Sequence, residues 1–179
     1  MTVMVALLRG VNVGGKNTLA MAQLRDIASA CGHTDVATYI QSGNVVFSTS
    51  RRGGGPVARE LAAAITDETG LTPSVMVRTR SELRKVVDDN PFLQRGEDPG
   101  YLHVVFLDAK PPVSAGLEDP DAFVPEEVAP GRRELYLLLP SGVGRSPLAI
   151  ELGRGAAKAG TMRNWRTVTK LLAMADEIA

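Results

Sequence analysis

Apolar residues recur along this chain with two periods, and the switches between them mark out its elements. Val3 to Leu8 is a continuous apolar run stopping at Arg9, which predicts a first strand. Leu24, Ile27, Ala28 and Cys31 share one face at helical spacing, so Met21 to Cys31 is expected to be a helix ended by Gly32. Val36 to Gln41 and Asn44 to Thr49 are short β-prone runs separated by Ser42-Gly43, the spacing of a tight antiparallel hairpin. Ser50 to Gly55, SRRGGG, reads as a flexible connection. Beyond it Pro56 suits a first helical turn, and Val57, Leu61, Ala64 and Ile65 form a stripe that Gly70 closes. Ser74 to Thr79 returns as a strand, completing β-α-β-β-α-β, the ferredoxin-like order, over residues 1–80.

A second α+β subdomain is expected over residues 81–179. Ser81 opens a short helix that Asn90-Pro91 ends, because the residue before proline is pushed out of helical angles. Tyr101 to Asp108 and Glu134 to Leu139 read as strands. The Pro- and acid-rich stretch between them reads as a surface connection, with a helical turn near Leu117 and a short strand near Glu127. Ser146 and Pro147 start a penultimate helix, and Gly160-Thr161 separates it from a last helix with Val168, Leu171, Leu172 and Ala175 inward.

Composition narrows the class. Twenty basic and twenty acidic residues cancel, so no global field holds nucleic acid or an anionic membrane, and any anion site is local. The single cysteine, Cys31, rules out an internal disulfide and fits a reducing, cytoplasmic compartment. The N-terminal apolar run has no basic region before it and is too short for a membrane span.

The candidate chemistry centres on LLRGVNVGGKN, Leu7 to Asn17. Gly14 and Gly15 let backbone N–H groups approach a ligand, Arg9 and Lys16 bring positive charge, and Asn12 and Asn17 can orient a polar group. Gln41, Ser42 and Asn44 at the expected hairpin tip are further amide and hydroxyl partners, although they are also ordinary turn residues. Cations stand before three predicted helices: Lys16, Arg145 ahead of Ser146, and Arg163 ahead of Asn164 and Trp165. Helix N-termini ordinarily collect acids, and each misplaced cation costs a few tenths to ~1 kcal/mol unless an anion lies between it and the dipole. The repetition points to a small phosphorylated or carboxylated ligand in a cleft between the two halves, with Trp165 covering it. Gly10 to Lys16 also satisfies G-x-x-x-x-G-K, but Asn17 stands where a phosphate loop needs Ser or Thr, and a hairpin conflicts with its parallel sheet. A nucleotide-dependent enzyme is therefore a minor alternative. No general acid–base couple, cofactor site or multi-residue metal site is visible, so binding groups are named and a reaction is not.

With these residues in place, the sequence resembles the bacterial family known as domain of unknown function 1697. The likeness rests on LLRGVNVGGKN at Leu7, YIQSGNVVF at Tyr39, NPF at Asn90, GRS at Gly144 and GTMRNWRTVTKLL at Gly160. It implies an α+β protein of two ferredoxin-like or related βαββα units packed together, in a family without an established activity. Met162 and Arg166 depart from the pattern, as does the glycine-rich Gly153 to Gly155. A nucleic-acid-binding or protein-interaction module is the alternative from another class, and aromatics at 4% weigh against the nucleic-acid form.

Overall fold

The first strand, β1 (Thr2–Arg9), is apolar from Val3 to Leu8 rather than alternating because both of its faces are buried: Met4, Ala6 and Leu8 on one, Val5 and Leu7 on the other. The computed structural model describes residues 1–179 and falls into two compact units, Met1–Arg84 with Lys170–Ala179, and Lys85–Thr169. It is a mixed α/β protein with two four-stranded antiparallel sheets and six α-helices. None of the helices is long and apolar enough to cross a membrane.

In unit 1, α1 (Met21–Ala30), β2 (Thr34–Thr38), β3 (Asn44–Thr49), α2 (Gly54–Thr69) and β4 (Ser74–Thr79) follow β1. The sheet order is β2-β3-β1-β4, with Ala6 opposite both Val45 and Val77. Leu24, Ile27 and Ala28 of α1 and Val57, Leu61 and Ile65 of α2 cover the face carrying Met4, Ala6, Leu8, Phe47 and Val77. Each fully buried Leu, Ile or Phe contributes about 1.5–3 kcal/mol, which makes this cluster the main source of the unit's stability. Gly70, at a φ of 73°, caps α2 in the left-handed conformation. The glycine-rich connection is less free than its composition suggests. Gly54 and Gly55 already belong to α2, and a Cβ on Gly54 would stand 3.2 Å from the Val77 carbonyl oxygen, so the helix start lies hard against β4.

The hairpin differs from its expected form. β2 ends at Thr38, and residues 39–43 leave the ladder as a five-residue connection, while a register shift between Thr34 and Ala37 bulges the strand. Left-handed angles at Ile40 and Gly43 make this longer turn, which Asn44 holds by donating from Nδ2 to the Tyr39 carbonyl at 3.0 Å.

Unit 2 contains α4 (Pro91–Gln94), β5 (Leu102–Phe106), β6 (Glu127–Pro130), β7 (Glu134–Leu138), α5 (Pro147–Arg154) and β8 (Thr161–Asn164). Its sheet order, β6-β7-β5-β8, repeats that of unit 1: second, third, first, fourth. Leu148 and Leu152 of α5 pack with Val105, Leu107, Leu135 and Leu137, and short 3-10 turns at Val113–Gly116 and Pro120–Phe123 occupy the place in the chain where unit 1 has α1. The helices α3 (Arg80–Asp88) and α6 (Trp165–Glu177) follow the last strand of each sheet. α3 opens on a capping box, with the Glu82 amide donating to Thr79 Oγ1 at 3.2 Å and the Thr79 amide to Glu82 Oε2 at 2.8 Å. On α6, Val168, Leu171, Leu172 and Ala175 are buried as their spacing predicts.

Thr161 to Asn164 is the second correction to the sequence reading. These residues form an edge strand paired with β5, Arg163 opposite Val104, and the last helix begins only at Trp165. Thr161 and Arg163 alternate inward with period two, a pattern too short to be separated from a helix start by sequence alone.

His33 lies between α1 and β2 with its side chain wholly buried, stacked on Phe47 at 4.4 Å between ring centroids. Neither ring nitrogen has a hydrogen-bond partner, and Glu60 Oε2 stands 4.0 Å from Nε2. Desolvation holds its pKa below the ordinary histidine value, against the opposing pull of Glu60. Half-buried His103 is shifted in the same direction by burial. The unfolded chain therefore binds more protons than the native one below about pH 6.5, and native stability falls as pH drops through that value. Urea unfolding at pH 7.5 and pH 5 should show the loss, up to about 1.4 kcal/mol per pH unit for each histidine. His33→Phe should flatten the slope, and a variant as pH-sensitive as the parent would contradict this origin.

Candidate functional site

Because β1 is buried on both faces, polar groups collect where it ends. Gly10, at a φ of 78°, turns the chain out of the strand, and Asn12 and Asn17 adopt positive φ of 53° and 52°, which asparagine tolerates better than most residues. The Lys16 amide donates to the Val13 carbonyl at 3.0 Å and the Asn12 amide to that of Asn17 at 3.0 Å, closing a miniature hairpin. Gly14 and Gly15 are its two central residues, with φ of 57° and 72°, the signature of a type I′ turn. Nothing lies within 4 Å of a Cβ built on either, so backbone angle rather than crowding requires glycine there.

The asparagines fasten this loop. Asn12 donates from Nδ2 to the carbonyls of Leu19 at 2.8 Å and Gln41 at 2.7 Å, and accepts from the Leu19 amide at 2.8 Å. Asn17 Nδ2 donates to the Gly10 carbonyl at 2.9 Å. The Leu8 amide donates to the Gly43 carbonyl at 2.8 Å, so the loop at residues 39–43 runs beside the end of β1. Gly43 is indispensable to that approach, since a Cβ would stand 2.7 Å from both Leu8 Cβ and Val11 Cγ2. Asn44, fully buried, also donates to Ser42 Oγ at 3.0 Å, while Gln41 is exposed.

Arg9 and Lys16 are exposed and have no ion-pair partner. Arg9 lines an open cleft of about 240 Å3 with Gly10, Val11, Asn17 and the segment Leu71 to Ser74. No carboxylate lines it. Thr72 and Ser74 were not among the sequence candidates; their one signal is the short Thr72-Pro73-Ser74 stretch that leads into β4.

The other candidates lie in unit 2. Arg145 is exposed in the turn Val143–Arg145. Ser146 is fully buried and caps α5, its Oγ accepting from the Ala149 amide at 2.9 Å. The protein also supplies an anion at that helix start: buried Glu126 accepts from the Leu148 amide at 3.0 Å. Asn164 caps α6 through the Thr167 amide at 2.9 Å, and Trp165 is 5% exposed. Arg163 is buried on β8 and donates to Thr161 Oγ1 at 2.7 Å and the Met162 carbonyl at 2.9 Å. Burial lowers its pKa to about 10, so it remains protonated at neutral pH.

The family model described as "Protein of unknown function (DUF1697)" matches residues 1–136. The chain belongs to this family. Among solved structures, it is similar to the conserved bacterial protein SP0830 from Streptococcus pneumoniae, with 21% identity and a TM-score of 0.77 over 98% of this chain and 99% of that one. At that identity the likeness speaks for the fold. A search of the curated proteins finds no match. The match to the DUF1697 model takes in the Arg9 to Asn17 loop, the 39–43 connection and the cleft segment Leu71 to Ser74, and ends before Arg145 and Arg163.

Asn12→Ala removes the loop's links to Leu19 and Gln41. At a net ~0.5–1.5 kcal/mol for each of three hydrogen bonds, the substitution should cost about 1.5–4.5 kcal/mol in urea unfolding. Amide exchange at Leu19 should accelerate; unchanged exchange would mean the loop is held by other groups.

Proposed function

We propose that unit 1 binds a small phosphorylated or carboxylated ligand in the cleft lined by Arg9, Gly10, Asn17, Thr72 and Ser74. The observation that carries this reading is an exposed, unpaired arginine in a cleft without a carboxylate. A guanidinium can hold two oxygens of a phosphate or carboxylate at once, and the Thr72 and Ser74 hydroxyls are hydrogen-bond donors on the same cleft. Lys16 adds charge from the neighbouring hairpin. Asn12, Asn17 and Asn44 support the site indirectly, because their side chains fix the loops in one arrangement before a ligand arrives. No histidine or acid lines the cleft, so the reading is of recognition and assigns no reaction.

Several wider expectations accompany it. The β-α-β-β-α-β order and the shared strand order support a ferredoxin-like unit 1 and a related unit 2, as two domains divided near residue 80. The lone cysteine fits a reducing, cytoplasmic address. The nucleic-acid alternative draws little support, since Tyr101 is the one exposed aromatic residue and base stacking needs a platform of them.

Titration with inorganic phosphate at low salt, followed by amide NMR, tests the reading. Shifts should concentrate at Gly10, Asn17 and Thr72, and Arg9→Ala should weaken binding about 10- to 150-fold, the worth of a charge-assisted contact of ~1.5–3 kcal/mol. Absence of shifts with phosphate, sulfate and acetate would overturn it.

A further inference from the structure

Arg9 and Ser74 are a directly opposed pair of β1 and β4, so their side chains leave the same face of the sheet from Cβ atoms about 5 Å apart. Both are exposed, and both line the cleft of about 240 Å3. Thr72, two residues before Ser74, is exposed and lines it too, and neither hydroxyl bonds to another group of the protein. The bond that fixes Asn17 uses only Nδ2, donated to the Gly10 carbonyl at 2.9 Å, so Oδ1 at the other end of that amide is a free acceptor. The apolar lining contributes less surface, since Val11 is buried and Leu71 and Pro73 are half-buried. An alkyl body therefore has little to rest on. No aromatic side chain lines the cleft to stack on a base, and no carboxylate is there to pair an ammonium group. The cleft volume is that of about eight waters at ~30 Å3 each, which is more than a phosphate ion fills.

From these constraints we infer that the cleft takes a polyol phosphate, a phosphate monoester of a small sugar or sugar alcohol. The inference rests on the anion-binding reading and adds the chemistry of the group attached to the anion. Arg9 holds two terminal oxygens of the phosphate, and the Ser74 hydroxyl, directly opposite, donates to the third. A carboxylate has no third oxygen to offer. Asn17 Oδ1 can only accept, so it matches an O–H of the ligand body and no oxygen of a phosphate dianion. Thr72 Oγ1 can donate or accept and meets a second hydroxyl of the body.

Calorimetric titration of the whole protein with inorganic phosphate, propyl phosphate, glycerol 3-phosphate and glycerate tests this. The two esters share a carbon skeleton and differ in their hydroxyls. Glycerol 3-phosphate should bind more tightly than propyl phosphate by about 2- to 12-fold for each hydrogen bond its hydroxyls gain. Thr72→Val, which keeps the side-chain shape and removes the hydroxyl, should lower that ratio. In amide NMR the Asn17 side-chain NH2 signals should move with glycerol 3-phosphate and stay in place with propyl phosphate. Phosphate binding with the two esters equal, or with propyl phosphate the tighter, would overturn the inference and leave the anion site standing. A preference for glycerol 3-phosphate that survives Thr72→Val and leaves the Asn17 signals unmoved would overturn the assigned contacts. Glycerate bound as tightly as glycerol 3-phosphate would overturn the choice of a phosphate. Binding of none of the four would remove both readings.

Discussion

The burial of β1 on both faces governs the candidate site. A strand with no wet face cannot carry ligand-binding side chains along its length, so its polar chemistry is displaced to the end, where Arg9 and Gly10 leave the sheet. The chain then reaches α1 through a long polar loop whose backbone N–H and C=O groups must be satisfied locally. The asparagines do this: Asn12 and Asn17 bond main-chain groups of the loop and its neighbours, and Asn44 does the same for the 39–43 connection. Side chains that look like ligand contacts in the sequence are therefore spent on architecture. The groups left free are cations and aliphatics: Arg9, Lys16, Val13 and Ile40.

The same accounting applies to helix starts. Misplaced cations suggested missing anions, but the fold answers that charge pattern with its own groups. Glu126, twenty residues before Ser146 in the chain, reaches the start of α5, and Asn164 caps α6. Arg163 belongs to a strand rather than to the helix after it. The starts of α1 and α2 receive no side-chain cap and have no acid in the first turn. The uncapped start of α1 follows the Arg9 loop, whose Lys16 carries free positive charge.

Ile40 and His33 show different kinds of tension in one small unit. A buried histidine without hydrogen-bond partners lowers stability through desolvation, and a β-branched residue at positive φ does so through backbone sterics. His33 at least stacks on Phe47 and adds to the core. Ile40 is half-exposed and has no comparable internal return.

The sequence by itself determined the strands and helices whose apolar residues keep one period for a turn or more: β1, α1, α2, β4, α5 and α6. It also marked Gly70 and Ser146 as caps, because those residue types act locally. It could point to the Arg9 to Asn17 loop, since glycines, asparagines and cations together are legible in any order. Their division of labour was decided only by the tertiary structure. Gly14 and Gly15 form a turn, Asn12 spans to Leu19 and Gln41, and Glu126 finds a helix start far along the chain, all through contacts that no sequence spacing encodes. Thr72 and Ser74 join Arg9 because β4 pairs beside β1, and Thr161 to Asn164 becomes a strand because β5 offers it an edge. Local propensity fixes elements, but pairing partners are chosen by the packing of the whole sheet, and the candidate site is built from those choices.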